Sequence, residues 1–487
     1  MRRTKIVATL GPSIHTYESV QSLVAAGMDV ARLNFSHGDH ATHRRWFDWI
    51  RQAADEAGRN VAVLQDIQGP KLRVGRFPDG SIDLEQGDLV SLVAGSGLGT
   101  ENRIEVDYPY LTEDVDVGDT ILLSDGLIVL EVIGTDPDSL TALVRVGGEL
   151  KDRKGVACPD TDLRVPSVTA KDRDDLKLGR ELGVDYVAAS FVRTGDDVRE
   201  VRKLVGEAPV IAKVELAVAY QNLDDILAEA DGVMVARGDL GVQLPLERIP
   251  HIQTDILART NAAGRISITA TEMLESMTHS PRPTRAEVTD VATAVISGTD
   301  AVMLSGETAV GDYPSKTVET MARICVEAES SPLAQPVPFV GAANRVASAI
   351  AQAATEAAAN LGINTIVAFT ETGSTARLIS KYRPEAAIVA FTPLPPTRRR
   401  MALFWGVTAY PFERRDYTDH EIAAAEKFLE REEICHRGDL VVMVAGIPPN
   451  QRSATNLMKI HLVGERHGGV LSQRSARRSP EVGGLGY

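Results

Sequence analysis

Short apolar runs alternate with amphipathic helical stretches along most of residues 1–330, and this alternation constrains the fold more than any other feature. The runs lack regular polar alternation, which predicts parallel strands that are covered on both faces. One segment, residues 71–166, breaks the rhythm: it contains strand-like runs separated by Gly, Asp and Pro, and no convincing helix. Such a pattern predicts a small all-β insertion. Examples of the strand-like runs within it are Ser81–Leu84, Leu89–Val93, Thr120–Leu123, Leu127–Ile133 and Leu140–Val146.

Three predicted strands precede the insertion and five follow it, which makes eight βα units. This number predicts a TIM (β/α)8 barrel over residues 1–70 plus 167–333, with residues 71–166 as a lid over its C-terminal face. Two separate α/β sheets are the alternative that the pattern leaves open. The eight predicted strands are Lys5–Leu10, Val30–Phe35, Val61–Ile67, Tyr186–Phe191, Val210–Glu215, Gly232–Ala236, Ile266–Ala270 and Ala301–Leu304.

A Pro-rich stretch, residues 331–339 (SPLAQPVPF), indicates a linker to a further domain. Helical and strand-like segments alternate again beyond it, which predicts a smaller α/β domain over residues 334–473. Residues 474–487 are polar and rich in glycine, and we expect a flexible tail.

The charge balance excludes some classes of partner. The chain has 52 Lys and Arg against 67 Asp and Glu, a formal net charge of −15, which argues against nucleic acid or an anionic membrane surface. No apolar run approaches the roughly 20 residues of a membrane span. The three cysteines are far apart, so we expect no disulfide framework and a cytoplasmic location.

Polar side chains follow the ends of seven of the eight predicted barrel strands. In a TIM barrel these ends meet on one rim, where the chemistry takes place. Each such residue alone is also typical of a solvated loop, but their coincidence on one rim predicts an active site. The residues are Arg32, Asn34, Ser36, His37, Asp66, Ser190, Arg193, Lys213, Glu215, Arg237, Asp239, Thr271, Glu272, Ser305 and Glu307.

The residue types at this rim suit a metal and an anionic substrate. Glu215 and Asp239 are carboxylates of the kind that hold Mg²⁺, which keeps waters and substrate oxygens in its other positions. Lys213 lies two residues before Glu215, so both side chains point to one face of the strand. A cation there stabilises a developing enolate or phosphoryl charge, although a structural ion pair remains an alternative. Arg32, Arg73 and Arg193 offer planar donors to phosphate.

Several long blocks resemble the pyruvate kinase family over nearly the whole chain. They are residues 4–13 (TKIVATLGPS), 32–38 (RLNFSHG), 211–215 (IAKVE), 236–241 (ARGDLG), 270–277 (ATEMLESM), 281–287 (PRPTRAE) and 303–308 (MLSGET). The resemblance implies transfer of a phosphoryl group from phosphoenolpyruvate to ADP, giving pyruvate and ATP in the last step of glycolysis. It also implies a homotetramer and allosteric control.

The resemblance assigns roles residue by residue. Lys213 would neutralise the phosphoryl group and the enolate, Arg32 would hold phosphate, and Thr271 would lie near the enolate carbon in a proton relay. Glu215 and Asp239 would bind Mg²⁺ or Mn²⁺, and the backbone N–H groups of Gly238 and Asp239 would face the substrate carboxylate. The nucleotide and its metal would meet Asn34, His37, Arg73 and Asp162.

The clearest departure from the family pattern lies in residues 66–73 (DIQGPKLR), where Lys71 replaces a glutamate. In the family, Asn34, Ser36, Asp66 and the carbonyl of Ile67 would cage a K⁺ ion. We expect the Lys71 ammonium to supply that charge, so that activity is largely independent of K⁺; a plain surface lysine at the lid hinge is the alternative. Thr194 replaces a common lysine, and the loop at residues 446–456 lacks the usual glycines.

In the third domain, a strand leads into residues 370–376 (TETGSTA) and then a helix. Hydroxyls and backbone N–H groups at a helix start suit phosphate, and the position matches the family's effector loop, although an ordinary N-cap is the alternative. A phosphorylated effector, a sugar phosphate or AMP, is therefore predicted. The candidate residues are Thr370, Thr372, Gly373, Ser374 and Thr375. Arg398, Arg399 and Arg400 are further candidates to bind the effector, and a solvated helix face is their alternative.

Two other functions remain as alternatives. One is a different metal-dependent TIM-barrel enzyme that forms enolates, but the insertion after strand three argues against it. The other is a non-catalytic metabolite sensor, which predicts the loss of Lys213, Glu215 or Asp239, and all three residues are present.

Overall fold

The computed structural model describes residues 2–161, 163–332, 345–447 and 455–465. The chain begins with alternating parallel strands and helices. Helix α1 starts at a capping box between Thr16 and Ser19 and ends at Gly27, whose φ of 117° is a left-handed conformation that suits glycine. The first elements are β1 (Lys5–Leu10), α1 (Tyr17–Ala26), β2 (Val30–Asn34), α2 (His40–Glu56) and β3 (Ala62–Asp66).

The segment predicted to be an insertion is a separate β unit with its own hydrophobic core. Its strands form one sheet of two strands and one of six. Along β8 and β9 buried and less buried residues alternate, as the period of two requires. The elements are β4 (Ser81–Leu84), β5 (Leu89–Ala94), β6 (Arg103–Val106), α3 (Leu111–Asp114), β7 (Thr120–Leu123), β8 (Ile128–Asp136), β9 (Ser139–Val146), β10 (Gly148–Lys151) and β11 (Val156–Ala157).

The unit contains one helix, α3, which is a single turn of four residues with no side-chain cap and does not change the predicted all-β character of the insertion. The sequence did not indicate β6, β10 and β11, which have only four, four and two residues. A strand of two to four residues shows at most two repeats of the strand period, so it is easily passed over, although β4 and β7, also of four residues, were indicated.

The alternation of strands and helices then resumes. Helix α4 begins at a capping box between Thr169 and Asp172 and ends at Gly183 in the left-handed region. The elements are α4 (Ala170–Leu182), β12 (Tyr186–Ala189), α5 (Gly195–Val205), β13 (Val210–Val214), α6 (Ala217–Gln221), α7 (Leu223–Glu229), β14 (Gly232–Ala236), α8 (Arg237–Gln243), α9 (Ile249–Ala262), β15 (Ile266–Ala270), α10 (Arg285–Ile296), β16 (Ala301–Leu304), α11 (Gly306–Ala309) and α12 (Pro314–Glu329).

Eight parallel strands close into a barrel in the order β1, β2, β3, β12, β13, β14, β15, β16 and back to β1. The predicted TIM barrel is therefore confirmed, and the alternative of two separate sheets is excluded. The β unit connects β3 to the helix before β12, at the rim where the strands end. Residues of this lid and of the barrel line a common cleft of about 400 Å³.

The opposite, N-terminal rim of the barrel has a regular arrangement of aspartates. Four aspartates stand directly before the second, fourth, sixth and eighth strands of the barrel. Each side chain accepts a backbone N–H from the first or second residue of the neighbouring strand that comes before it in the barrel. Each also donates its own N–H to the carbonyl of that same residue. The pairs are Asp29 with Ile6, Asp185 with Val63, Asp231 with Val210, and Asp300 with Ser267, at 2.8, 2.8, 2.9 and 2.8 Å.

The predicted C-terminal α/β domain is confirmed as a sheet in the order β19-β18-β17-β20-β21. The last strand, which the sequence did not indicate, is antiparallel to β20. The elements are α13 (Arg345–Leu361), β17 (Thr365–Phe369), α14 (Ser374–Lys381), β18 (Ala387–Thr392), α15 (Pro395–Arg400), β19 (Val407–Pro411), α16 (Thr418–Arg431), β20 (Leu440–Ala445) and β21 (Leu457–Leu462).

This domain packs beneath the N-terminal rim of the barrel. One hydrophobic cluster joins buried barrel residues such as Met234 and Met303 to Leu403 and Phe404 of the C-terminal domain. Most of the predicted linker, the predicted tail and most of the loop at residues 446–456 lie outside the described residues. Among the helices that the structure describes, none combines the length and apolar character needed to cross a membrane.

Candidate active site

The strand ends of the barrel bring a lysine between two carboxylates. Lys213 lies in β13, and its Nζ is 2.8 Å from Glu215 Oε1 and 3.3 Å from Asp66 Oδ1. Asp66 is the last residue of β3. The lysine also donates to Ser190 Oγ at 2.7 Å, immediately after β12. Three neighbouring strands thus hold the ammonium at one point of the rim.

Arg32 completes this cluster from β2. Its Nε is 2.6 Å from Asp66 Oδ2, and Nη1 donates to Thr9 Oγ at 3.0 Å. The cluster is almost completely buried from solvent: Asp66 is 0%, Glu215 1%, Arg32 8% and Lys213 9% exposed. Charges in such a place act through a low effective dielectric constant, which strengthens their interactions with one another and with a bound anion.

Burial and mutual attraction set the protonation of this cluster. Burial opposes the ionised form of Asp66, but Lys213 and Arg32 outweigh it, and the pKa of Asp66 is lowered. Burial likewise opposes the charged ammonium, but Asp66 and Glu215 outweigh it and raise the pKa of Lys213. Lys213 is therefore a permanent cation at neutral pH, suited to hold negative charge.

Glu215 and Asp239 form the candidate metal-binding pair. Glu215 Oε2 accepts the backbone N–H of Phe191 at 2.7 Å, and Phe191 has a φ of 55° that turns this N–H inward. Burial raises the pKa of Glu215, and the neighbouring charge of Asp239 raises it further. Two carboxylates that repel each other on one rim favour a bound cation, so the pair fits Mg²⁺ as a set of two protein ligands.

Within the described residues, no group of three or more His, Cys, Asp or Glu side chains is arranged to hold a metal. A divalent ion at Glu215 and Asp239 would therefore take its other ligands from water and substrate, as Mg²⁺ commonly does.

Thr271 follows β15 in a strained turn. Thr271 and Glu272 have φ values of 70° and 51°, a left-handed region that costs a β-branched residue about 1–3 kcal/mol. The Thr271 hydroxyl donates to the Ala270 carbonyl at 2.6 Å and accepts the N–H of Gly238 at 2.8 Å. The Gly238 N–H, which the family resemblance implies would face a substrate carboxylate, thus donates to Thr271 in this structure.

Lys71 lies between the lid and the barrel. Its Nζ is 3.3 Å from Asp239 Oδ1 and 3.7 Å from Asp125 Oδ1 in the lid. The predicted cage residues are engaged otherwise: Asn34 Oδ1 accepts the N–H of Ser36 at 3.1 Å, and the Ile67 carbonyl accepts from Ser190 at 2.7 Å.

The predicted nucleotide-binding residues lie partly together. His37 lies near several cations: burial lowers its pKa, and Arg73, Arg32 and Lys71 lower it further. Arg73 donates from Nη1 to the Arg153 carbonyl at 2.9 Å. Asp162 lies outside the described residues.

Arg193, offered by the sequence as a phosphate donor, binds the end of the lid instead. Its Nη1 and Nη2 donate to the carbonyls of Leu163 and Val165, both at 3.1 Å, and its guanidinium pairs with Asp197 at 3.3 Å. Sequence reasoning did not assign a role to Thr9 at all, although it stands in the first block of residues that resembles the family.

The candidate effector loop in the C-terminal domain is compact. Gly373 has a φ of 86°, and its N–H donates to Thr370 Oγ at 2.9 Å. Thr372 Oγ donates to Ser374 Oγ at 3.0 Å, and the Thr375 hydroxyl bonds to that of Thr455 at 2.7 Å. Glu371, which weakens the case for an anion, is paired with Arg414 at 2.9 Å. Of the three consecutive arginines, Arg399 binds Asp185 of the barrel at 2.9 Å.

A closed barrel with a dry charged rim under an inserted lid defines a barrel enzyme that handles an anionic substrate away from water. Comparisons with known proteins agree. The family model "Pyruvate kinase, barrel domain" matches residues 1–318, and "Pyruvate kinase, alpha/beta domain" matches residues 348–461.

Curated relatives and solved structures point the same way. A pyruvate kinase from Staphylococcus saprophyticus is 44% identical over 477 residues, 96% of this chain and 81% of the relative. One from Geobacillus stearothermophilus is 43% identical over 474 residues, 95% and 81% of the two chains. A crystal structure of a pyruvate kinase from Cryptosporidium parvum has a TM-score of 0.88 and 36% identity, covering 95% of this chain and 96% of its own. The chain therefore belongs to the pyruvate kinase family and is a phosphotransferase.

Proposed function

We propose that this enzyme transfers the phosphoryl group of phosphoenolpyruvate to ADP and releases pyruvate and ATP. The observation that carries the proposal is the Lys213 ammonium, held between Asp66 and Glu215 in a nearly dry rim beneath a lid. Phosphoryl transfer depends on positioning and on charge stabilisation more than on covalent chemistry, and this rim supplies both.

The residues divide the task by position. Lys213 neutralises the phosphoryl group in transfer and the enolate that remains, and Arg32 binds phosphate oxygens while Asp66 holds its guanidinium in place. Glu215 and Asp239 hold Mg²⁺ or Mn²⁺, which supplies further positive charge when bound. The lid excludes water, which would otherwise accept the phosphoryl group. The Thr271 hydroxyl, fixed between Gly238 and Ala270, lies in the relay that delivers a proton to the enolate carbon.

A coupled assay of pyruvate formation tests the activity directly. We expect ADP-dependent production of pyruvate from phosphoenolpyruvate that requires a divalent ion. Lack of ADP-dependent pyruvate under every metal and effector condition would refute the proposal and favour a metabolite sensor. Pyruvate formed from another substrate would favour a different enolate-forming barrel enzyme.

Independence from K⁺ is proposed on the position of Lys71. Asp66, the carboxylate of the expected cage, is already paired with Arg32 and Lys213, and Lys71 places a further ammonium 3.3 Å from Asp239. The rim thus has protein cations where a monovalent ion would otherwise balance carboxylates and phosphate. We expect wild-type activity to be similar in K⁺, Na⁺ and tetramethylammonium, and Lys71→Glu to become dependent on K⁺. Loss of most wild-type activity when Na⁺ or tetramethylammonium replaces K⁺ would refute independence from K⁺.

Allosteric activation through the loop at residues 370–375 is proposed on its hydroxyls at the start of α14. Sugar phosphates and AMP, titrated separately, should lower the phosphoenolpyruvate concentration at half-maximal rate, and Ser374→Asp should abolish the response by repelling phosphate. A response that survives this change would place the effector elsewhere.

We also propose that the enzyme is a cytoplasmic homotetramer. Light scattering of the purified chain would test the number of subunits.

A further inference from the structure

A single guanidinium, that of Arg237, binds both sides of the strained turn that carries Thr271. Arg237 is the first residue of α8 and directly follows β14, the strand that neighbours β15, after which Thr271 lies. Its Nε donates to the Ala270 carbonyl at 3.1 Å, and its Nη2 donates to the Thr271 carbonyl. Nη2 also contacts the sulfur of the fully buried Met273 at 2.9 Å. Arg237 therefore hydrogen-bonds the backbone carbonyls on both sides of the Thr271 Cα, where φ is positive.

Asp290 fixes the guanidinium in turn. Arg237 Nη1 lies 2.7 and 2.6 Å from the two oxygens of Asp290, a residue of α10. The same nitrogen is 3.4 Å from Gln253 Oε1 of α9. All three nitrogens of the guanidinium are thus engaged, and two helices behind the rim determine where it lies.

The Thr271 hydroxyl is held from the opposite side by the segment that follows Arg237. Gly238, next in sequence to Arg237, donates its N–H to Thr271 Oγ at 2.8 Å, and Asp239 follows directly. The segment of residues 237–239 therefore holds the backbone of the Thr271 turn through Arg237 and the Thr271 hydroxyl through Gly238. It also carries the candidate metal ligand Asp239. Strained backbone of this kind persists only where the surroundings over-determine it.

We propose that Arg237 and Asp290 are positioning residues that act through Thr271: they hold the turn so that its hydroxyl serves proton delivery to the enolate. This inference rests on the proposed function, because it assumes that Thr271 acts at the protonation step. Neither Arg237 nor Asp290 needs to touch the substrate for the effect.

The test uses Arg237→Lys, which keeps the positive charge but cannot span two carbonyls and a carboxylate in one plane. We expect kcat to fall by about tenfold or more, and the KM for phosphoenolpyruvate to change less than about threefold, as for loss of a contact used in the transition state. Exchange of the pyruvate methyl protons with D₂O, followed by NMR with Mg²⁺ and ATP, should fall in parallel with kcat. A purely structural role would not move this exchange selectively.

A double-mutant cycle with Thr271→Ala identifies the route of the effect. If Arg237 acts through Thr271, Arg237→Lys should lower kcat by less than about twofold in the Thr271→Ala background, because residues that act as a unit are not additive. Effects that multiply in the double variant would overturn the proposal, as would a raised KM with unchanged proton exchange. Asp290→Asn, which loses the charge but keeps an acceptor, should show a smaller effect with the same coupling and serves as the cycle partner if Arg237→Lys does not fold.

Arg202→Lys is the matched control. Arg202 also clamps a carbonyl and a carboxylate, that of Glu229 at 2.6 Å and that of Asp231 at 2.8 Å, but at the opposite rim. It should leave kcat and proton exchange unchanged. The wild-type enzyme distinguishes failure of the proposed function from failure of the positioning role. If the wild type forms no pyruvate, the proposed function is refuted. If the wild type is active but the effects of the two substitutions multiply, only the positioning role is refuted.

Discussion

The two rims of the barrel use the same residue types in opposite ways. At the N-terminal rim, each of four aspartates caps a pair of neighbouring strands through the backbone and is also paired with a cation. At the C-terminal rim, Asp66, Lys213 and Glu215 bind mainly one another and few backbone groups. The N-terminal carboxylates complete the sheet, whereas the C-terminal charges depend on each other and remain able to accept a ligand.

This difference explains why a barrel can be both stable and reactive. A backbone N–H at a strand start has no partner within the ladder, and leaving such a group buried and unpaired costs about 1–3 kcal/mol. The aspartates remove that cost at four places around the ring. Two of them, Asp185 and Asp300, also bind Arg399 and Lys381 of the C-terminal domain, so the same rim attaches that domain.

The largest expected effect comes from changing the C-terminal rim. Lys213→Met keeps the length of the side chain and removes its charge. We expect kcat to fall by about 10³-fold or more, since a preorganised charge at the reacting group is lost. The melting temperature should also fall, because the buried Glu215 loses its cation, although Asp66 retains Arg32 at 2.6 Å. The coupled assay and calorimetry measure the two quantities, and a kcat within tenfold of wild type would contradict the assigned role.

The next effect lies at the N-terminal rim and should have the opposite character. Asp300→Asn keeps an acceptor for the Ser267 N–H but leaves two cations, Lys381 and Arg383, 2% and 9% exposed, without this counter-charge. Breaking a buried pair on one side typically costs about 3–5 kcal/mol. We expect a large fall in the unfolding midpoint in urea while the folded fraction keeps most of its kcat. A large loss of kcat at unchanged stability would remove the distinction between the rims.

The sequence predicted the C-terminal rim better than the N-terminal rim. Lys213, Glu215 and Asp66 were found because polar residues at the ends of apolar runs are conspicuous. The N-terminal aspartates were missed, although three share the pattern Gly-Xaa-Asp before a strand, at residues 27–29, 183–185 and 298–300. The signal was present, but no rule of strand periodicity assigns meaning to the residue just before a strand.

Side-chain partners were less predictable than positions. Arg193 was expected at phosphate but binds the carbonyls of Leu163 and Val165, because the lid ends within its reach. Arg399 was grouped with its neighbours as a candidate for an effector but pairs with Asp185, 214 residues away in the chain. Contacts between domains depend on how the domains dock, and the local pattern carries no information on that.

A smaller effect is expected from Asp231→Asn, the matched change within the same ring. Asp231 also accepts a strand N–H, that of Val210, and Asn retains this ability. Its partner Arg202 is 38% exposed, so the lost ion pair should cost only about 1 kcal/mol or less. Urea unfolding of the two variants side by side measures the difference, and equal losses in Asp231→Asn and Asp300→Asn would mean that burial of the cation does not decide the cost.

The smallest effect concerns acid and tests the N-terminal rim through Asp29. Burial opposes its ionised form, but Arg2 and Lys5 outweigh it and lower the pKa of Asp29 from 3.8. The folded protein therefore releases this proton more readily than the unfolded chain, so the stabilisation is present above pH 3.8 and is lost as the pH falls through the lower folded-state pKa. Between pH 5.5 and 3.5 the loss from this one group should be less than about 0.7 kcal/mol, because only the unfolded chain takes up an appreciable fraction of a proton over this range. Asp29→Asn should lack it, so the unfolding free energy of the variant, followed by tryptophan fluorescence, to which Trp46 and Trp49 of α2 contribute, should fall less steeply over this range. Parallel pH profiles for the two proteins would show that the ion pairs of Asp29 do not contribute to the acid sensitivity of the barrel.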